Sequence, residues 1–377
     1  MKWSFTIARI FGIDLKVHIT FFLIVLWGAV QFSAFGTGGA MFGAGVVLLL
    51  FTCVTLHEFG HALVAQALGI PVRQIILLPI GGLAQLVRNP SRGLHELLIA
   101  AAGPLVNVII LIPLILLLDL RELVQSIEGG RFLPAPSVQS ALWMLTYSNV
   151  MLVAFNLIPA FPLDGGRMLR AVLWMFTSFA AATRVASAVG QLLAIAMAIF
   201  ALTSGNLVLL LIAAFVFFGA GAETAEGRTR TVLATRRVGD AYNRHAMTLS
   251  PYDPISRVVH HILNSYQPDF AVLGGRELLG VVTREDVLRY LESGGPDTWV
   301  QVIMRPDVVR VQAHSTLDEV RQALSEAEQR IAAVYDGPVY LGLVSLDDIH
   351  EAFVILDYLG REQSSPGIAG PYAPPGR

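Results

Sequence analysis

The segment Leu56-His57-Glu58-Phe59-Gly60-His61 lies inside an apolar run and sets two imidazoles four residues apart. Residues at that spacing share a helix face, so His57 and His61 can offer two nitrogens to one Zn2+ while Glu58 stands beside the metal's water. A metal lowers the pKa of such a water toward about 7, and Glu58 can take its proton and hand it to a leaving amine. An HExxH string arises by chance in about one such chain in a hundred, usually on a charge-rich surface helix. Three ionisable groups within an apolar helix point to function instead. Two ligands leave the centre incomplete, because catalytic zinc takes three protein ligands and keeps a fourth position open. Cys53 is the single cysteine of the 377 residues, which excludes an intrachain disulfide and a thiolate cluster. The missing ligand is therefore a His or a carboxylate.

Asp164 is the candidate. It closes the stretch Asn156-Leu157-Ile158-Pro159-Ala160-Phe161-Pro162-Leu163-Asp164 and is followed by Gly165-Gly166-Arg167. A carboxylate at the end of an apolar segment is costly in hydrocarbon unless it meets a cation or metal, and a Pro- and Gly-broken backbone can turn it back toward a neighbouring helix. Asn156, one or two turns earlier, is expected to hydrogen-bond substrate backbone or a developing oxyanion. Asn107, in Ala102-Gly103-Pro104-Leu105-Val106-Asn107, is either a second contact of that kind or glue between helices.

These residues need a membrane scaffold. Mean hydropathy is +0.62 and charged residues make up 14%, gathered mostly after about residue 222. A span needs roughly 20 apolar residues, and six runs qualify: Ile19 to Phe35, Gly43 to Leu68, Leu97 to Leu118, Val138 to Ile158, Thr183 to Thr203 and Asn206 to Ala222. Arg167 to Phe179 is amphipathic and is expected at the interface or partly inserted. Six spans put both termini on one side. Lys2, Arg9, Lys16, Arg73, Arg88, Arg92, Arg167, Arg170, Arg184, Arg228, Arg230, Arg236 and Arg237 fall on that side, against Arg121 and Arg131 opposite, so it is the cytoplasmic side of a plasma-membrane protein. The first run is expected to be a retained helix, with no convincing cleavage site. The loop from Asp119 to Ser137 is too short for an outer sensor domain.

Between the second and third spans, Val72 to Val87 holds two short apolar runs around Pro79-Ile80-Gly81-Gly82, the pattern of a β-hairpin whose edge can accept another extended strand. From Val238 the pattern changes to a soluble α/β unit repeated at an offset of 62 residues: Leu279-Gly280-Val281-Val282-Thr283-Arg284-Glu285-Asp286 matches Leu341-Gly342-Leu343-Val344-Ser345-Leu346-Asp347-Asp348. Each copy is expected to run strand, helix (Ile255 to Asn264; Leu317 to Glu326), two strands, then a helix opening at the acidic pair. The expected divisions are 1–227 membrane domain, 228–237 basic linker, 238–295 and 296–357 the two copies, and 358–377 a disordered Pro/Gly tail. A net charge of −2 and a pI near 6.5 argue against a nucleic-acid partner.

The residues His57-Glu58-Phe59-Gly60-His61, Ala102-Gly103-Pro104 with Asn107, and Asn156 through Asp164-Gly165-Gly166 closely resemble the site-two protease family of intramembrane zinc metalloproteases. The resemblance implies His57, His61 and Asp164 as ligands of one zinc and Glu58 as catalytic base. It also implies a polytopic α-helical fold of six transmembrane helices with a small β-hairpin, the zinc lying toward the cytosol. Substrates would be membrane-tethered regulators such as anti-sigma or pro-sigma factors. The repeat resembles a tandem cystathionine-beta-synthase (CBS) pair, which implies adenine nucleotide (ATP or AMP) as a possible ligand through Thr283, Asp286 and Asp348, with Ser345 the matching hydroxyl, and a possible dimer. The competing class is a membrane ion or metal transporter gated by the same pair. It predicts metal flux and tolerance of Glu58→Gln, and the membrane half shows no inverted repeat in its support.

Overall fold

The computed structural model describes residues 3–79, 81–119, 135–242, 246–264 and 267–364. They divide into two compact units, Met1–Gly227 and Arg228–Arg377.

The first unit opens on a hairpin that the sequence patterning does not reveal, β1 (Ser4–Ile10) and β2 (Ile13–His18), followed by α1 (Phe21–Gln31) and α2 (Gly36–Ala67). Next come β3 (Val72–Leu78) and β4 (Gly81–Leu86), then α3 (Gly93–Leu117), α4 (Val138–Asn156), α5 (Asp164–Phe176), α6 (Phe179–Ser204) and α7 (Leu207–Ala234). Among the described residues five helices are long and apolar enough to cross a membrane: the one containing α2, and α3, α4, α6 and α7. The first expected span is shorter than its apolar run. Its helix has 11 residues, about 17 Å at 1.5 Å each, and a 3-10 turn at Ser33–Phe35 ends it before α2 begins. Side chains such as Phe218, 73% exposed, and Leu192, 68% exposed, face outward from the bundle, which suits lipid and not water.

The expected hairpin at Val72 to Val87 is present but is half of a four-stranded sheet in the order β1-β2-β3-β4. β2 and β3 pair in parallel from Asp14↔Gln74 to Val17↔Leu77, so β3 is interior and the free edge on this side of the sheet belongs to β4 alone. Alternate residues Ile13, Leu15 and Val17, with Ile75 and Leu77, pack on Phe51, Phe59 and Ala62 of α2. The period-two pattern of the sheet thus seats it on the helix that carries His57 and His61. The loop with Arg121 and Arg131 lies outside the described residues.

In the second unit each copy has the expected order. The first is β5 (Thr248–Leu249), α8 (Ile255–Asn264), β6 (Asp269–Gly274), β7 (Glu277–Thr283) and α9 (Arg284–Glu292). The second is β8 (Val309–Gln312), α10 (Leu317–Ala327), β9 (Ile331–Asp336), β10 (Val339–Ser345) and α11 (Leu346–Ser364). Each sheet has one parallel and one antiparallel pair, and Ala271, Val281, Ala333 and Leu343 join the two sheets in one buried cluster. Two boundaries differ from expectation. The basic linker at 228–237 is largely helical, because α7 continues through Arg228 and Arg230 to Ala234, and α11 continues to Ser364, beyond the expected tail boundary. Ala, Glu and Arg favour helix in the α7 extension, as Leu359, Arg361, Glu362 and Gln363 do at the end of α11. Residues 365–377 lie outside the described part.

Candidate metal centre

His57 and His61 lie one turn apart on α2, both buried, and Asp164 is the first residue of α5 and is also buried. The His57 and His61 Nε2 atoms are 3.0 Å apart, and Asp164 Oδ2 is 3.2 Å from each. Donors at about 2.0–2.1 Å on a tetrahedral ion would be about 3.3 Å from one another, so the triangle has the dimensions of one face of a zinc site. It is the one group among the described residues in which three such side chains converge.

The outer ring nitrogens decide what this triangle presents. His61 Nδ1 donates to the Ile99 carbonyl at 2.7 Å, and His57 Nδ1 donates to Asn107 Oδ1 at 2.5 Å. A carbonyl oxygen only accepts, so each neutral ring carries its proton on Nδ1 and turns an Nε2 lone pair inward. Two lone pairs and a carboxylate oxygen therefore face one point with no proton among them. That donor set fits a cation, and its composition of two imidazoles and one carboxylate suits zinc.

Three local features make the triangle. Gly103 of α3 lies directly beneath the rings: a Cβ there would stand 2.6 Å from His57 Nε2 and nearer still to the His61 ring, closer than real Cβ atoms come. Gly165 lets α5 begin against the preceding segment, since its Cβ would lie 2.6 Å from the Ile158 carbonyl carbon. Arg170, two turns into α5, is buried and ties that helix to two others. Its Nε donates to Glu96 Oε1 of α3 at 2.8 Å, its Nη1 to Glu223 Oε2 of α7 at 2.8 Å, and its guanidinium lies 4.8 Å from the Phe161 ring centre. From sequence, Arg170 enters only as a topology charge, and Glu96 and Glu223 go unnoticed. Their signal is the one that singles out Asp164, ionisable groups at the ends of apolar runs.

Glu58 is half-buried on the adjoining position of α2 and accepts the Ala84 N–H of β4 at Oε2, 3.2 Å away. Asn156 ends α4, half-buried, and among the described residues its side chain makes no hydrogen bond. Asn107 is placed differently from a substrate contact. It is 0% exposed, with Oδ1 on His57 and Nδ2 donating to Asn149 Oδ1 of α4 at 2.8 Å, so its polar atoms face buried neighbours.

In the second unit, Thr283 and Asp286 form a capping box at the start of α9, with Thr283 Oγ1 donating to Asp286 Oδ2 at 2.7 Å. Ser345 and Asp348 repeat it at α11, also at 2.7 Å. Arg305 Nε donates to Asp286 Oδ1 at 2.9 Å, whereas no ion pair reaches Asp348 among the described residues. Burial, reinforced by the Asp348 carboxylate and then Asp347 and Asp286 against the opposing Arg330, pushes the Asp269 carboxyl up to about 6. The folded value lies above the ordinary 3.8, so the stability linked to this group is full below about pH 4 and is lost as pH rises through about 6. Asp269→Asn is expected to flatten that slope and to raise stability at pH 7.5 by about 1–2 kcal/mol, solvent screening reducing the full linkage value. Chemical unfolding of the full chain at pH 4.5 and 7.5 checks it, and an unchanged slope counts against this account of Asp269.

Comparison with known proteins places these features in context. The pattern of Peptidase family M50 matches residues 45–131 and 119–202, and that of the CBS domain matches 238–293 and 300–355. Zinc metalloprotease MJ0392 of Methanocaldococcus jannaschii is 32% identical over 359 residues, 95% of this chain and 98% of that protein. Stage IV sporulation protein FB of Bacillus subtilis is 28% identical over 156 residues, 41% of this chain and 46% of that protein. Among solved structures, a site-2 protease from Methanocaldococcus jannaschii is 39% identical, covering 59% of this chain and 95% of that one, with a TM-score of 0.42.

Proposed function

This chain belongs to peptidase family M50, and from that premise we propose that it cuts the transmembrane segments of membrane-tethered regulatory proteins, anti-sigma or pro-sigma factors among them, at the His57–His61–Asp164 centre. It is a metalloprotease and a multi-pass membrane protein, and it carries a tandem CBS pair. The observation that carries the proposal is the convergence of two Nε2 lone pairs and a carboxylate oxygen at 3.0–3.2 Å inside an apolar bundle.

His57, His61 and Asp164 hold the zinc. When bound, the ion supplies Lewis-acid activation of water and of the scissile carbonyl. Glu58 accepts a proton from the attacking water as its oxygen bonds to the carbonyl carbon, and delivers it to the amide nitrogen as the C–N bond breaks. Asn156, with its amide unspent, contacts substrate backbone. The substrate's helix unwinds and its extended strand pairs with the free edge of β4, Gly81 to Leu86, which brings its backbone beside Glu58. Both termini and the CBS pair lie in the cytoplasm, and the products leave on that side.

In this reading an adenine nucleotide bound to the CBS pair alters access to the centre, and the pair also supports a dimer. A ribose hydroxyl would find Asp348, which no arginine occupies among the described residues, more readily than Asp286, already held by Arg305. ATP and AMP that leave both melting and proteolysis unchanged would remove the nucleotide part alone.

The test is proteolysis by the full chain in lipid vesicles with a labelled single-span substrate. Chelation is expected to abolish cleavage and stoichiometric zinc to restore it. Zinc accumulation inside the vesicles without cleavage would favour a transporter and sink the proposal.

A further inference from the structure

We propose that Asn149, on a helix that supplies no metal ligand of its own, is a positioning residue: it dictates which way round the Asn107 amide sits and so which nitrogen of His57 faces the metal. The inference rests on the reading of His57 as a zinc ligand. Asn149 and Asn107 are each 0% exposed and His57 is 6% exposed, so water is not available to repair a wrong pairing.

The chain of hydrogen bonds has one fixed end. Asn149 Nδ2 meets the Leu145 carbonyl at 2.8 Å, and a backbone carbonyl can only accept. The other end of the Asn149 amide, Oδ1, must therefore face Asn107 at 2.8 Å, and being an acceptor it requires Asn107 to present Nδ2. Asn107 then turns Oδ1 to His57 at 2.5 Å, which requires the proton on His57 Nδ1. Nε2 is left as a bare lone pair aimed at Asp164 and His61.

The two histidines differ here in a way that explains the added anchor. His61 is oriented by the Ile99 carbonyl, which cannot turn around. His57 is oriented by a side-chain amide that can flip. A flipped Asn107 would donate Nδ2 to His57 Nδ1, moving the ring proton to Nε2, where it blocks metal binding. The same flip would set Asn107 Oδ1 against Asn149 Oδ1, two acceptors in a dry interior, which costs free energy. Asn149 forbids the flip. A link from α4 through α3 to α2 thereby acts on ligand quality without touching the metal.

The experiment measures zinc affinity of the purified full chain by competition with a chelator of known affinity. Variants are Asn149→Leu, Asn149→Ala, Asn149→Asp, Asn107→Ala, the double variant Asn107→Ala/Asn149→Leu, and His57→Ala as control. Asn149→Leu and Asn149→Ala, which remove the acceptor, are expected to weaken zinc binding about tenfold, the low end of the range for outer partners of metal ligands. Asn149→Asp, which enters this dry interior as the neutral acid with its O–H on the Leu145 carbonyl, keeps an acceptor toward Asn107 and is expected to stay within about threefold of the parent. In the Asn107→Ala background, Asn149→Leu is expected to add nothing, because its action passes through Asn107. A merely structural role predicts additive losses, with Asp no better than Leu, and that result overturns the inference. So does parental affinity in both Asn149→Leu and Asn149→Ala while His57→Ala loses zinc. If His57→Ala keeps zinc, it is the metal-ligand reading that has failed.

Discussion

Glu58→Gln is expected to lower the rate of peptide-bond cleavage by about 10³-fold while the chain keeps its zinc, within the 10²–10⁴-fold typical of general acid–base catalysis. The substitution keeps the side chain's shape and an oxygen that can still accept the Ala84 N–H, which Glu58 meets at 3.2 Å. It removes the basic oxygen that takes the water's proton in the mechanism proposed above. The proposed ligand triangle of His57, His61 and Asp164 does not include Glu58, so metal content should stay at the parental level. Single-turnover cleavage with zinc measured on the same sample checks this. Loss of zinc and activity together would make Glu58 a structural or ligand residue; full activity would remove it from the chemistry.

Gly103→Ala is expected to cost most of the bound zinc, with affinity falling by at least about 10²-fold, because the methyl group and the two imidazoles cannot occupy one place. A Cβ at position 103 would lie 2.6 Å from His57 Nε2 and closer to the His61 ring, while Gly103 sits mid-helix in α3 with no rotamer freedom to yield. Either the rings swing off the common point or α3 moves away from α2, and overpacking of this sort costs about 1–3 kcal/mol before the metal is counted. Chelator competition reads the affinity, and a circular dichroism spectrum shows whether the helices persist. A Gly103→Ala chain that binds zinc at parental affinity would mean that the rings do not rest on α3 as described.

Much of this arrangement is legible in the sequence because membrane burial makes polar residues expensive. His57, Glu58, His61 and Asp164 stand out as ionisable groups in apolar runs, and the 62-residue repeat announces the paired α/β copies. What stays hidden is of two kinds. The strands β1 and β2 escape notice because the N-terminal residues fall just before the first apolar run, where Lys16 and Arg9 suggest only topology; their alternation Ile13, Leu15, Val17 is visible once a partner strand at Gln74 to Leu77 is known. The partnerships of polar residues are also hidden. Asn107 can be singled out by type, but its use on His57, and the existence of Asn149 behind it, depend on how α2, α3 and α4 meet, which periodicity does not encode. Arg170, Glu96 and Glu223 are likewise separate charges until packing joins them.

The claim that His57, His61 and Asp164 are the zinc ligands is tested most directly by zinc K-edge X-ray absorption on the purified full chain beside Asp164→Ala. The account predicts about one zinc per chain, nitrogen and oxygen neighbours at about 2.0–2.1 Å with the scattering signature of two imidazoles, and loss of most of that zinc from Asp164→Ala. A sulfur shell near about 2.3 Å, which would implicate Cys53, or a spectrum and zinc content unchanged in Asp164→Ala, would contradict it.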